Sequence, residues 1–233
     1  MFQKIAFWAM ALSIALSATT TAKDIGEEVA SFRTLAIGKS LSGVYYDFEG
    51  NTSRISAGSS NFSREYKSNV GQKVSLYRQL PPAKSGLPPI KHELVEFVLD
   101  KPIPYIVLFQ VNPKDTNDVR VKVVEDSWDD HPVGTMRLFN YSPRLVMVKI
   151  GSETAQLATA ESKLFPYSDN LQVWIQAIVL DGDEWSLRLS TPQVIMPNTR
   201  STLILVDQLP TIGRPESEEL LVRNFVEPAP VSE

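Results

Sequence analysis

No stretch of this chain spaces apolar residues at i, i+3, i+4 and i+7 for long enough to make a helix; short alternating runs fill it instead. Candidate strands, rich in β-branched and aromatic residues, cover Phe32–Ile37, Val44–Phe48, Ser53–Ala57, Asn61–Tyr66, Lys73–Gln79, Glu93–Leu99, Tyr105–Val111 and Val119–Val124. They continue through Thr135–Asn140, Leu145–Ile150, Ala155–Ala158, Gln172–Leu180, Trp185–Ser190, Thr199–Val206 and Leu220–Phe225. Glu49-Gly50-Asn51, Pro81-Pro82, Leu87-Pro88-Pro89, Asn112-Pro113 and Asp181-Gly182-Asp183 punctuate them as turns. Short strands with turns at such intervals predict an all-β chain of sandwich architecture.

At 233 residues there is room for one large domain or two of ordinary size. An internal echo favours two. Ile55 and Leu157 lie 102 residues apart in matching contexts, Tyr66 and Tyr167 lie 101 apart, and Val74 and Val173 lie 99 apart. Tyr105-Ile-Val-Leu-Phe-Gln110 then matches Ser201-Thr-Leu-Ile-Leu-Val206 at an offset of 96. A slowly drifting offset is what small loop insertions and deletions leave. The echo reads either as an internal duplication or as the likeness any two β-domains share through alternation and turn chemistry. Both readings give two consecutive small antiparallel β-sandwich domains of immunoglobulin-like kind. The expected boundaries are a signal peptide over 1–22, a first sandwich over 23–126, a linker over 127–131, a second sandwich over 132–210, and a C-terminal strand or tail over 211–233.

The leader is read from Lys4, an apolar run from Ile5 to Leu16 broken by Ser13, and small residues ending at Thr20 and Ala22. That run falls short of the ~20 residues a membrane helix needs, and no later segment has the length. The expectation is an exported chain, periplasmic or at the cell surface. Cysteine is absent, which removes disulfides, thiolate metal sites, thiol nucleophiles and a lipid-modified N-terminus. An exported chain without disulfides must be stabilised by packing, which suits a bacterial envelope. The formal charge is −4, or −5 once Lys4 leaves with the leader. A nucleic-acid binder would need a basic face instead.

Gly134-Thr-Met-Arg137-Leu-Phe-Asn140-Tyr-Ser142-Pro143, followed by Val146-Met-Val-Lys-Ile150-Gly, resembles a recurring opening of small secreted bacterial β-domains. A strand ending Arg-x-x-Asn turns through Ser-Pro into a strand that closes on a short Gly turn. The module is similar to the second half of periplasmic accessory proteins for alginate O-acetylation. That resemblance implies a signal peptide and two small β-domains, and it brings no catalytic residue with it. Physically, Asn140 and Ser142 are placed to bond their own backbone at the turn, and Pro143 presets its φ.

Two histidines, His92 and His131, leave little material for acid–base or metal chemistry, and no serine sits in a Gly-x-Ser-x-Gly elbow. Glu125, Asp126, Asp129 and Asp130, beside His131, form the densest acidic group. Carboxylates suit hard cations, yet the spaced pattern of a calcium loop is missing. The stretch therefore reads as a solvated linker kept extended by like charges, and no cofactor or metal is expected. Asp181-Gly182-Asp183-Glu184 reads as a hairpin closed by a type I′ turn. Trp174 and Trp185 flank it and read as core or cross-strand packing residues. Adjacent Tyr45 and Tyr46 must face opposite sides of one strand, so one packs inward while the other is exposed or covered by a neighbour. Tyr45, Tyr46 and Trp128 are the candidate binding residues, although Trp128 reads first as the cap of a domain edge and only second as a sugar-stacking platform.

The function these features suggest is a non-catalytic binding, scaffolding or accessory module of the cell envelope, partnered by an envelope protein or a polysaccharide. One alternative is a polysaccharide-binding module that uses exposed aromatics. The other is an Asp/Glu-dependent hydrolase at the domain junction.

Overall fold

A computed structural model of the protein describes residues 28–82, 84, 86–168, 171–208 and 219–230. The leader expected over residues 1–22 lies outside these. Every regular element among the described residues is a strand. The first eight are β1 (Val29–Gly38), β2 (Leu41–Phe48), β3 (Asn51–Ala57), β4 (Tyr66–Asn69), β5 (Lys73–Leu80), β6 (Ile90–Val98), β7 (Pro104–Val111) and β8 (Val119–Glu125). The second eight are β9 (Thr135–Asn140), β10 (Val146–Ile150), β11 (Glu153–Leu157), β12 (Ser162–Pro166), β13 (Gln172–Asp181), β14 (Glu184–Val194), β15 (Thr199–Asp207) and β16 (Leu220–Pro228).

They form four four-stranded sheets in two pairs, which makes two consecutive β-sandwiches. The first sandwich has an inner sheet β4-β1-β7-β8 and an outer sheet β3-β2-β5-β6. The second has an inner sheet β12-β9-β15-β16 and an outer sheet β11-β10-β13-β14. All pairings are antiparallel except β1 with β7 and β9 with β15, which are parallel.

Adding eight to each strand number of the first sandwich reproduces the second. The correspondence extends to register. Phe32 pairs with Tyr66 and Tyr105, and Met136 pairs with Phe165 and Ser201. In the outer sheets, Tyr45 pairs with Arg54 and Tyr77, and Met147 pairs with Gln156 and Ile178. Even the defect repeats: β5–β6 slips between Leu76 and Tyr77, and β13–β14 slips between Ala177 and Ile178. The extra residue is Leu94 in one and Arg188 in the other. Bulges are positional features of a fold rather than accidents, so a shared bulge is stronger testimony to duplication than shared alternation. The offsets of 102 at Ile55/Leu157 and 96 at Tyr105/Ser201 agree with these registers. Tyr66, however, matches Phe165 rather than Tyr167, and Val74 matches Ile175 rather than Val173.

Three apolar layers hold the molecule. Phe32, Tyr46, Phe97, Val107 and Phe109 fill the first sandwich, and Leu138, Val148, Phe165, Ile175 and Leu203 fill the second. A third layer is shared between the two inner sheets: Leu35, Ile37, Ile106 and Leu108 meet Phe139, Tyr141, Ile204 and Val206. Inner strands therefore bury both faces. β15 is buried from Thr199 to Val206: Leu203–Val206 is a continuous apolar run for that reason, and the buried Thr199–Thr202 stretch before it is polar.

Some expectations change. The strand expected over Asn61–Tyr66 begins only at Tyr66, because residues before it serve β1 irregularly: Thr34 donates its backbone N–H to Ser63 Oγ at 2.9 Å, and Ala36 donates to the Gly58 carbonyl at 2.8 Å. β12 escaped the pattern because one of its five residues, Phe165, is buried. The Leu220–Phe225 strand exists as β16 and completes the second inner sheet along β15. In the β13–β14 turn only Gly182 has positive φ, +63°, so glycine leads a type II′ turn instead of following in a type I′ turn. Asn140 and Ser142 behave as read: Asn140 Oδ1 accepts from Ser142 N at 2.9 Å, and Ser142 Oγ accepts from Arg144 N at 3.2 Å.

Candidate functional site

Three regions gather the residues that chemistry singles out. The first is the junction. The acidic stretch is a compact turn closed by His131 N donating to the Ser127 carbonyl at 2.9 Å, and not an extended, solvated linker. Asp126 and His131 are 1% and 0% exposed. Asp126 Oδ2 accepts from Arg33 at 3.0 Å and Arg200 at 2.8 Å, while Oδ1 lies 3.6 Å from Arg137 and 3.3 Å from His131 Nδ1. Glu227 of β16 also pairs with Arg33. Burial pulls the Arg33 guanidinium down, but Glu227 and Asp126 more than offset it and leave it raised. Arg137 is lowered by burial, with Asp126 offsetting part of the shift. A local reading finds only like charges there, because the two arginines that bond Asp126 most closely, Arg33 of β1 and Arg200 of β15, are 93 and 74 residues away. Arg33 and Arg137 are equivalent residues of the two repeats, so one carboxylate serves both. Asp126 is thus an internal counter-ion. Trp128 belongs to this arrangement: the Arg200 guanidinium lies 3.9 Å from its ring centroid, and the indole is half-buried.

The second region is the outer face of the first sandwich. Tyr46 packs in the core beside Phe32 at 5.9 Å and is buried. Tyr45 faces outward, half-buried against Tyr77 with ring centroids 6.3 Å apart. Around them the face is polar and internally satisfied. Asp47 accepts from Lys91 at 2.5 Å, Tyr77 Oη at 2.7 Å and Thr52 at 2.7 Å. The Lys91 hydrogen bond, with those from Tyr77 and Thr52, holds the Asp47 carboxyl below its ordinary value. The most exposed large apolar side chains of this half, Leu80, Leu87 and Ile90, lie at the proline-bearing tip of the β5–β6 hairpin.

The third region is the outer face of the second sandwich, and it is different in kind. Met147, Ile178 and Leu187 sit side by side across β10, β13 and β14, with Leu180 opposite Trp185 below them. Leu187 is 58% exposed and Trp185 41%. Further along β13, Trp174 is 55% exposed. It borders a concave site of about 580 Å³ lined by Lys149, Ser152, Ser168, Gln172 and Gln176. The two tryptophans therefore point outward and do not serve as core packing. Alternation places Trp174 correctly on the face opposite Val173 and Ile175, both buried; what alternation does not signal is that no element among the described residues packs over this outer face. β14 is also a sheet edge, paired only with β13 among the described residues.

No family model matches the chain, and no curated protein matches it. Among solved structures, the crystal structure of "a putative cell adhesion protein" from Bacteroides eggerthii DSM 20697 aligns over 87% of this chain and 96% of that one, at 8% identity and a TM-score of 0.23. So low a score carries no argument about fold or function. The resemblance of residues 134–151 to alginate O-acetylation accessory proteins gains no support from these comparisons.

Proposed function

We propose that the protein is an exported, non-catalytic accessory module of a bacterial envelope, and that the outer sheet of its second sandwich docks a protein partner. The observation that carries this reading is the row Met147, Ile178, Leu187 with Trp185, apolar and partly exposed where the equivalent row of the first sandwich is Tyr45, Tyr77, Glu93 with Lys91. Two copies of one fold need the same cores, but neither needs an apolar outer face. Exposed apolar patches on soluble proteins mark contact surfaces. A long edge strand beside such a patch also offers backbone donors and acceptors for strand addition. The export element of the proposal rests on the leader-like residues 1–22 and the missing cysteines.

The test is mild in-cell cross-linking of the tagged chain in its own host, wild type beside Trp185→Lys/Leu187→Glu, which installs the first sandwich's residues. A stoichiometric adduct that the double variant loses supports the reading. An adduct equally strong in both, or none in the wild type, overturns it.

A further inference from the structure

We infer that the concave site beside Trp174 is a saccharide-binding subsite that takes one pyranose ring of a polysaccharide. The inference goes beyond the protein contact proposed above and does not rest on it. Trp174 stands outward on β13, and Gln172 and Gln176, two residues to either side, share its face by strand alternation. Lys149 arrives opposite Gln176 from β10. Ser152 in the β10–β11 turn and Ser168 complete the rim. Gly151 shapes that turn: its φ is +58°, and a Cβ there would lie 3.5 Å from Val173 Cγ2. At about 580 Å³ the site has the size of a small-ligand pocket.

The chemistry of the lining selects the ligand class. A pyranose ring has apolar C–H faces and a rim of hydroxyls that both donate and accept. An indole supplies a large rigid apolar body; carboxamides donate and accept at once, and an ammonium donates. An aliphatic side chain from a protein would cover those carboxamides without pairing them, which is costly. A phosphate-bearing ligand would meet a single cation, Lys149, among the lining residues. The repeat supplies an internal reference. The residue equivalent to Trp174 is Lys73, which is ion-paired to Glu96 at 2.9 Å, and Ser75, equivalent to Gln176, donates to the same Glu96 at 2.8 Å. One repeat closes this position with its own charges while the other leaves an aromatic open to solvent.

The experiment is affinity electrophoresis of the purified full chain in native gels containing hydroxyethyl cellulose, yeast mannan or pectate, with an oligosaccharide array in parallel. The wild type should be retarded in at least one gel or bind at least one array class. Trp174→Ala and Trp174→Lys should bind that polymer roughly thirtyfold more weakly, the effect of losing one hot-spot aromatic. Trp174→Tyr should retain most of the binding, and Trp185→Lys/Leu187→Glu all of it. Trp174→Lys guards against misfolding, because lysine already stands at that position in the first repeat. No retardation in any gel with an empty array, or retardation unchanged in Trp174→Ala, overturns the inference. Loss of a protein cross-link in Trp174→Ala with no saccharide binding overturns it too, in favour of protein docking. Retention of saccharide binding when the double variant has lost its partner separates this inference from the preceding reading.

Discussion

The two sandwiches are close to a controlled comparison carried out within one chain. Strand order, the parallel pair and the bulge at Leu94 or Arg188 recur, so a difference between equivalent positions is not a difference of fold. On the inner side the repeats converge: Leu35, Ile37, Phe139 and Tyr141 fill one apolar layer, and Arg33 and Arg137 address one carboxylate. On the outer side they diverge. The first sandwich ties Asp47, Lys91, Tyr77 and Thr52 into a closed polar set, whereas the second turns Ile178, Leu187, Trp185 and Trp174 toward solvent. The difference teaches that the two sandwiches agree on the faces that must meet and differ on the faces that need not, and the proposed recognition lies on a face that differs.

The largest effect should come from breaking the convergent side. Asp126→Ala leaves Arg33, Arg137 and Arg200 together beside an apolar layer with Glu227 as the carboxylate still paired to Arg33 and Arg200, and removing one partner of a buried charge set costs about 3–5 kcal/mol. Urea unfolding should show that loss in one transition for the whole chain, because both sandwiches share the layer. A loss below about 1 kcal/mol, or a second transition appearing in the wild type, would mean the halves are independent.

A smaller effect separates the repeats within their own cores. Asn140 is fully buried, with Nδ2 donating to the Arg144 and Leu157 carbonyls, each at 3.0 Å, while its register equivalent in the first sandwich is Ala36. Asn140→Ala should cost about 1–3 kcal/mol, since those carbonyls and Ser142 N lose a buried partner. The reverse change is not expected to be neutral, because Ala36 is fully buried and an amide there would have to be buried with it. Thermal unfolding of Asn140→Ala measures it, and an unchanged midpoint would show that water replaces the amide without loss.

The polar outer face should reveal itself through pH. The Asp47 carboxyl is lowered in the folded state, first by Lys91. A lowered carboxylate stabilises the fold above its unfolded value near 3.8, and that contribution is lost as the pH falls through the depressed value. Asp47 is 42% exposed, so solvent screening holds the effect below about 1 kcal/mol. Asp47→Asn should therefore cost a few tenths of a kcal/mol near neutral pH and nothing at the acid limit. Asp181 is lowered too, first by its hydrogen bond from Arg188, so the informative quantity is the difference between variant and wild type. A penalty that does not depend on pH would deny the carboxylate this role.

Much of this was legible in the sequence, and what was not has a common cause. Alternation and turn residues sufficed for the all-β class, for most strands, and for the 102- and 96-residue offsets. They sufficed for the Asn140–Ser142 turn, because its partners are local. Asp126 looked solvated because its partners lie as far away as Arg33 and Arg200. Trp128, readable as a domain-edge cap or as an open platform, lies half-buried against one of those arginines. Trp174 and Trp185 looked like packing residues because period-2 spacing says which residues share a face, not whether another layer covers it. Tyr45 and Tyr46 were resolved in the opposite way: their opposed faces were evident, and Tyr77 is the neighbour that covers Tyr45.

The comparison is tested most sharply where the expected stability change is smallest. Trp185→Lys/Leu187→Glu writes the Lys91 and Glu93 of the first sandwich onto the second. Both sites are partly exposed and leave the inner side of the sheet untouched. Surface changes of this kind usually stay within about 0.5 kcal/mol, so the unfolding midpoint should scarcely move. The new lysine would face Leu180, and no carboxylate equivalent to Asp47 awaits it, because Lys149 occupies that register position on β10. The graft therefore transfers polarity without transferring the closed network, and solubility should rise while partner capture falls. If instead the double variant loses more than about 1 kcal/mol, the outer row contributes to folding as the inner layers do, and its exposure would reflect packing needs rather than recognition. Equal stability with abolished cross-linking is the result that makes the outer faces, and not the sandwiches, the units that diverged.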